Sequence, residues 1–252
     1  MNKIILKARK DLKKSGYVYL PGFFKNNKNF QNLINDMSYF LKNISKKNYK
    51  NLNHFDKIIC QKFKNNKKIS GYLNENMNLL PSLKGLFADK KTTNLIKKIL
   101  TSNNKSLIVN NHRLRLQIPG FDKISNLPWH QDIHYNTIKN SNSVVLWVSL
   151  GKIDDEMGPV EIKSKSHKFK KIKKFMHLKP NGGKVPAIQI NNIKDTIYKH
   201  VSFPTNSGDV LMFDLKLVHR SGFNKSKNKV KWSAQARYHI PKDSPGSFLW
   251  KK

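Results

Sequence analysis

Val144-Val145-Leu146-Trp147-Val148-Ser149-Leu150 is the densest apolar run in this 252-residue chain, and its reading decides the fold. β-Branched and large apolar residues follow one another without the polar alternation of a half-buried strand. The run is far short of the roughly 20 residues that a membrane-spanning helix needs. It reads as a strand buried on both faces. Three further stretches carry a strand signature. Arg113-Leu114-Arg115-Leu116-Gln117-Ile118 alternates strictly and stops at Pro119-Gly120. Val210-Leu211-Met212-Phe213 follows a Ser-Gly-Asp turn, and Lys231 to Tyr238 alternates again. Strands separated by long loops predict a double-stranded β-helix, that is, a jelly-roll or cupin-like barrel, over residues 106–252.

Upstream the character changes. Phe30, Leu33, Ile34, Met37, Phe40, Leu41 and Ile44 recur at helical spacing across residues 28–44, and Leu95, Ile96, Ile99 and Leu100 form one stripe across 92–100. Gly16 to Phe23 reads as a short strand closed by a Pro-Gly turn. Residues 45–70 are rich in Lys and Asn and read as a loop or a poorly ordered helix. The expectation is a mainly β chain with N-terminal helices, a single domain over 1–252 in which residues 1–105 are largely helical.

Composition narrows the function classes. Folding a chain of this mass removes roughly 73% of the unfolded surface from water, so no covalent staple is required. Cys60 is the single cysteine, which excludes disulfide frameworks and thiolate zinc sites. Met1 to Lys14 is basic but lacks an apolar core and a small-residue cleavage site. A cytoplasmic protein without a membrane segment is the expectation. The 49 Lys plus Arg against 15 Asp plus Glu give a net charge of +34. Only five of these cations are Arg, the residue suited to bidentate recognition of bases and phosphates. The excess of Lys with Asn and Ile fits codon bias in an AT-rich genome better than a polyanion site, so nucleic acid is not the expected partner.

Two features carry chemistry. Trp129-His130-Gln131-Asp132-Ile133-His134 lies just upstream of the buried strand, and Val218-His219 lies just past the strand at 210–213. On an extended segment residues i and i+2 share a side, so His130 and Asp132 can present an imidazole and a carboxylate to one ion. His219, 87 residues beyond Asp132, would complete two His and one carboxylate on one face of the ion. That arrangement leaves positions open and is associated with non-haem Fe(II) oxygenases.

These residues resemble the phytanoyl-CoA dioxygenase family of Fe(II)/2-oxoglutarate-dependent oxygenases. The resemblance starts at Ser15 to Phe23 and is strongest from His130-Gln131-Asp132-Ile133-His134-Tyr135 through Trp147 and Asp155-Glu156-Met157-Gly158-Pro159 to Ser166-His167-Lys168. It resumes at Gly208-Asp209-Val210 and His219-Arg220-Ser221-Gly222. It implies Fe(II), 2-oxoglutarate and O2 as the reacting set, with His130, Asp132 and His219 as metal ligands and catalytic centre. The carboxylate of Asp132 implies hydroxylation, since halogenating relatives have a small residue there. Trp147 falls where the family places a tryptophan against 2-oxoglutarate; plain core packing is its alternative.

The family usually anchors 2-oxoglutarate with an Arg about eleven residues after the second His, often as Arg-Trp-Ser. Here Lys231-Trp232-Ser233 stands twelve residues after His219. Lys231 and Ser233 share a strand face, so an ammonium and a hydroxyl can both meet the far carboxylate. Arg237, on the same face, is the alternative anchor or a supporting partner. Arg113, Arg115 and Gln117 either line the pocket or face solvent, and the seven lysines from Lys163 to Lys174 either attract an anionic substrate or form a solvated loop. His134 and Tyr135 are either satisfied structural groups or residues that support the centre or touch substrate. The expected function is hydroxylation of a C–H bond in a small molecule. One rival is a non-catalytic basic jelly roll that binds nucleic acid or an acidic partner; another keeps the three ligands but takes Zn²⁺. The oligomeric state is not readable from the sequence.

Overall fold

The structure is a computed structural model that describes residues 2–49, 51–101, 106–120, 128–135, 141–169, 174–178, 184–188 and 198–241. The N-terminal portion carries helices α1 (Asn2–Ser15), α2 (Lys28–Ser45), α3 (Asp56–Asn65), α4 (Lys68–Met77), α5 (Pro81–Ala88) and α6 (Lys90–Leu100), with strand β1 (Tyr17–Leu20) between the first two. The apolar stripe of α2 buries Phe30, Leu33, Met37 and Leu41, and the Asn27 side chain accepts the Phe30 N–H at 3.0 Å to cap its start. Asp89 caps α6 in the same way through Thr92.

Residues 45–70 differ from expectation. A 3₁₀ turn, Leu52–Phe55, leads into α3, and α4 follows. Leu52, Phe55, Ile59, Cys60 and Phe63 are buried at helical spacing. The stripe is short, and Lys and Asn on the outer faces dilute it below recognition. The basic N-terminal stretch is likewise a helix, held by buried Ile5 and Ala8.

Strands occupy the C-terminal portion: β2 (Ile108–Gln117), β3 (Ser141–Ser149), β4 (Val160–Lys163), β5 (Lys174–Leu178), β6 (Lys184–Ile188), β7 (His200–Phe203), β8 (Val210–Asp214), β9 (His219–Ser221) and β10 (Lys231–Pro241). One antiparallel sheet has the order β1-β8-β3-β10-β2, a second has β7-β4-β9, and β5 and β6 form a hairpin. This is the jelly-roll fold. Among the described residues the two sheets stay separate, so it is a sandwich of sheets rather than a closed barrel. No described helix is long and apolar enough to cross a membrane.

The stretch at 144–150 is the reason for this layering. In β3, third of five strands, Val144, Leu146 and Val148 face a core shared with the helices, together with Leu114, Leu116, Val210, Met212, Trp232, Ala234, Ala236 and Tyr238. Val145 and Trp147 face the other way, into a cluster with Leu211, Phe213, Val160, Ile162 and Phe203 that joins the two sheets. Each such side chain removed from water contributes about 1.5–3 kcal/mol. The helices therefore occupy one face of the large sheet, and the smaller sheet packs on the other.

One link between the halves is polar. Trp232 Nε1 donates to Asp56 Oδ1 at 2.8 Å, both groups being buried. Burial pushes the Asp56 carboxyl up to about 7, against the lowering influence of the bonds from Trp232 and Val230. The folded chain keeps this proton where the unfolded chain, with its ordinary value of 3.8, has lost it. Stability should therefore fall as pH rises from about 4 to about 7, with a limiting slope of about 1.4 kcal/mol per pH unit from this group. Asp56→Asn keeps an acceptor for Trp232 and should flatten that segment of the curve. Denaturant melts at successive pH values test this; an unchanged slope in the variant contradicts it.

Candidate metal centre

His130 sits opposite His219 in an isolated antiparallel bridge, with the backbone bonds His130 N–H to His219 O and His219 N–H to His130 O both at 3.0 Å. In such a pair the two side chains project on the same side. Their rings approach at a centroid distance of 4.3 Å. The chain then bends into a 3₁₀ turn, Asp132–Tyr135, with Ile133 N–H bonded to Leu215 O at 3.0 Å. Asp132 thus reaches the histidines from the first residue of a turn, not from the extended segment that the i, i+2 argument assumed.

The convergence is close. One ligand atom from each of His130, Asp132 and His219 lies within 4.8 Å of the others, and all three residues are buried. His130 Nε2 is 3.6 Å and His219 Nε2 is 3.8 Å from Asp132 Oδ1. Each imidazole lays Nδ1 against a main-chain carbonyl, Pro128 O at 2.8 Å and Leu217 O at 2.9 Å. A carbonyl only accepts, so Nδ1 carries a proton and Nε2 is the ring nitrogen turned toward Asp132. Burial, then the neighbouring His130, pushes His219 down to about 3, so it is neutral at physiological pH. Two imidazole nitrogens and one carboxylate are the donor set that suits a divalent transition metal.

Arg237 prepares the carboxylate. Its Nε and Nη2 both donate to Asp132 Oδ2, at 2.9 and 2.7 Å, leaving Oδ1 on the histidine side. Burial alone would raise the Asp132 carboxyl; the contact with His130 and the charges of His219 and Arg237 overcome it and hold Asp132 far below the usual range. Because His219 is neutral, Arg237 is the lasting positive charge among these causes. In the structure Arg237 is ion-paired with Asp132.

A second polar cluster lies along β9 and β10. Lys231, 1% exposed, donates from Nζ to Ser221 Oγ at 2.9 Å, to Gly222 O at 3.2 Å and to Gly158 O. Ser221 donates in turn to Gln117 Oε1 at 2.8 Å. Gly158 and Gly222 are required here. Gly158 has φ +65°, and a Cβ on it would collide with the backbone of Gly222 and Phe223. Two glycine turns therefore cross at van der Waals contact and aim their carbonyls at one ammonium. Ser221 lies two residues past His219, on the same strand face, so the Lys231 cluster adjoins the His130–Asp132–His219 trio.

Ser233 is buried on that face, opposite Arg115 and Ser149, but the hydroxyl against Lys231 is that of Ser221. The sequence reading missed Ser221 and the glycine crossing; the His219-x-Ser221 spacing was the available signal. Trp147 belongs to the apolar cluster between the sheets. Gln117 is buried, Arg115 half-buried and Arg113 exposed along β2, so this strand face runs from the cluster to solvent. His134 Nε2 pairs with Gln131 Oε1 at 3.1 Å, a supporting contact within the turn. The Tyr135 side chain, and residues 170–173 of the Lys-rich stretch, lie outside the described residues.

Comparison with known proteins agrees with this geometry. The sequence matches the family described as phytanoyl-CoA dioxygenase (PhyH) over residues 12–230. No curated protein matches by sequence. Among solved structures, AviO1 from Streptomyces viridochromogenes Tue57 superimposes with a TM-score of 0.58 at 14% identity, covering 95% of this chain and 96% of that one. The epimerase SnoN, in complex with Fe³⁺, alpha ketoglutarate and nogalamycin RO, gives 0.63 at 14% identity over 95% and 85%. EctD from S. alaskensis with bound Fe gives 0.57 at 13% identity over 95% and 81%. At such identities these likenesses establish the fold.

Proposed function

The chain belongs to the phytanoyl-CoA dioxygenase family, and on that ground we propose that it is an Fe(II)- and 2-oxoglutarate-dependent dioxygenase that hydroxylates a C–H bond of a small molecule. The observation that carries this reading is the buried convergence of His130, Asp132 and His219 on one point. Bound there, Fe(II) would activate O2 at the expense of 2-oxoglutarate, a reaction for which the protein supplies geometry rather than redox chemistry.

The residues divide the remaining work. His130, Asp132 and His219 would hold the metal through Nε2, Oδ1 and Nε2. Asp132 stays anionic at all physiological pH, and Arg237 keeps its second oxygen away from the metal. Lys231 would exchange one of its three hydrogen bonds, that to Ser221, for a charge-assisted bond to the far carboxylate of 2-oxoglutarate. Ser233 and Trp147 wall the same face. The buried apolar cluster beneath Trp147 excludes water from the metal side. We read helices and sandwich as one unit.

Hydroxylation is the finer element of the proposal, since SnoN is described as an epimerase and SnoK as a carbocyclase. The test incubates the purified chain with Fe(II), 2-oxoglutarate, O2 and a panel of small metabolites, reading succinate and product mass. A product heavier by one oxygen atom is expected. A product of unchanged mass, or one lighter by two hydrogens, with succinate formed, would keep the oxygenase and replace the hydroxylase.

A further inference from the structure

The bridge that aligns the two histidines has an opposite face. In an antiparallel pair the residues flanking His130 and His219 point away from the metal side, and Trp129 and Arg220 confront each other there. The Arg220 guanidinium carbon is 4.6 Å from the Trp129 ring centroid. Its Nε and Nη2 both bond Glu161 Oε2, at 2.9 and 2.8 Å, and Glu161 is the register partner of Arg220 between β4 and β9. Lys163 Nζ, on a residue 4% exposed, is 5.3 Å from the same ring, and His200 meets that ring edge-on while contacting Glu161 at 2.9 Å. Trp129 O also accepts the Ile188 N–H at 2.7 Å, so the hairpin seals the indole in place.

This stack matters because His130 lies in an isolated bridge rather than in a continuous strand. A slip of one residue would turn its imidazole to the wrong face. The arginines of this Lys-dominated chain support the point. Arg9 forks onto Lys98 O and Thr101 O, Arg237 onto Asp132, and Arg220 onto Glu161 while stacking on an indole. Arg stands at these three places where a planar fork is used, a geometry that Lys cannot copy.

We infer that Arg220 is a positioning residue: aimed by Glu161 and stacked on Trp129, it pins His130 in register with His219 from the side opposite the metal. The inference rests on the proposed ligand set. Loss of groups that orient metal ligands typically lowers affinity 10- to 100-fold, and Arg220→Ala should raise the Fe(II) dissociation constant of the full chain within that range. Arg220→Lys, which keeps charge but not the planar stack, should lie between the Ala variant and the native protein.

The experiment has two readouts on the full-length chain. Amide exchange at His130 and His219 is measured without metal, and anaerobic Fe(II) binding is then titrated. In Arg220→Ala both amides should exchange faster and affinity should drop, with Arg220→Lys intermediate in each. Unchanged exchange at both amides together with native affinity overturns the positioning role. If native protein binds no Fe(II), the ligand reading fails, while the exchange result still decides whether Arg220 pins the bridge. Should Arg220→Ala not fold, Arg220→Lys and Trp129→Phe, which change one partner each without emptying the site, decide by the same two readouts.

Discussion

Asp132→Ala is expected to abolish Fe(II)-dependent turnover of 2-oxoglutarate. The substitution removes one of three ligand atoms and the only anionic one in the trio. It also leaves the Arg237 guanidinium buried against a methyl group, where a lone positive charge repels a divalent metal. Breaking a buried ion pair from one side costs about 3–5 kcal/mol, so lost folding has to be separated from lost chemistry. Asp132→Asn does this. It keeps the shape and an oxygen for Arg237 but removes the charge, and it should fold with little or no turnover. Circular dichroism with a succinate assay checks both. Full activity in a folded Asp132→Asn would assign the third ligand elsewhere.

The second large effect is expected at Lys231. A charge-assisted hydrogen bond contributes about 1.5–3 kcal/mol, which is roughly 10- to 150-fold in affinity. Lys231→Met preserves volume in a site that is 1% exposed while removing the ammonium, and should weaken 2-oxoglutarate by that factor with a smaller change in kcat. Ser221→Ala should produce a lesser loss in the same direction, because Ser221 both accepts from Lys231 and bonds Gln117. The KM for 2-oxoglutarate against that for the primary substrate is the discriminating pair of measurements. If Lys231→Met changes only the second, the cluster holds substrate and not co-substrate.

The convergence of His130, Asp132 and His219 was legible because its signal is local at one end and unusual at the other. His130 and Asp132 are two residues apart, and His219 sits at the mouth of a strand whose apolar run is unmistakable. The manner of convergence was not legible: a single backbone bridge and a 3₁₀ turn bring the three together, and neither has a composition of its own. Helices α3 and α4 were hidden for a different reason, since Lys and Asn on the outward positions outweighed a short apolar stripe. The role of Arg237 needed coordinates, because the face it shares with Lys231 and Ser233 is readable from alternation while the choice between an incoming carboxylate and Asp132 is not. The Trp129–Arg220–Glu161 stack joins residues up to 91 apart across the backs of two strands, and only the register reveals it.

Anaerobic titration of the metal-free chain, first with Fe(II) and then with 2-oxoglutarate, followed by visible absorption, addresses the metal centre itself. The account predicts one equivalent of Fe(II), a charge-transfer band that appears only when 2-oxoglutarate is added, and loss of that band in Asp132→Asn and in His219→Ala. A native protein that gives no band with both present, or a His219→Ala variant that gives the native one, would contradict it.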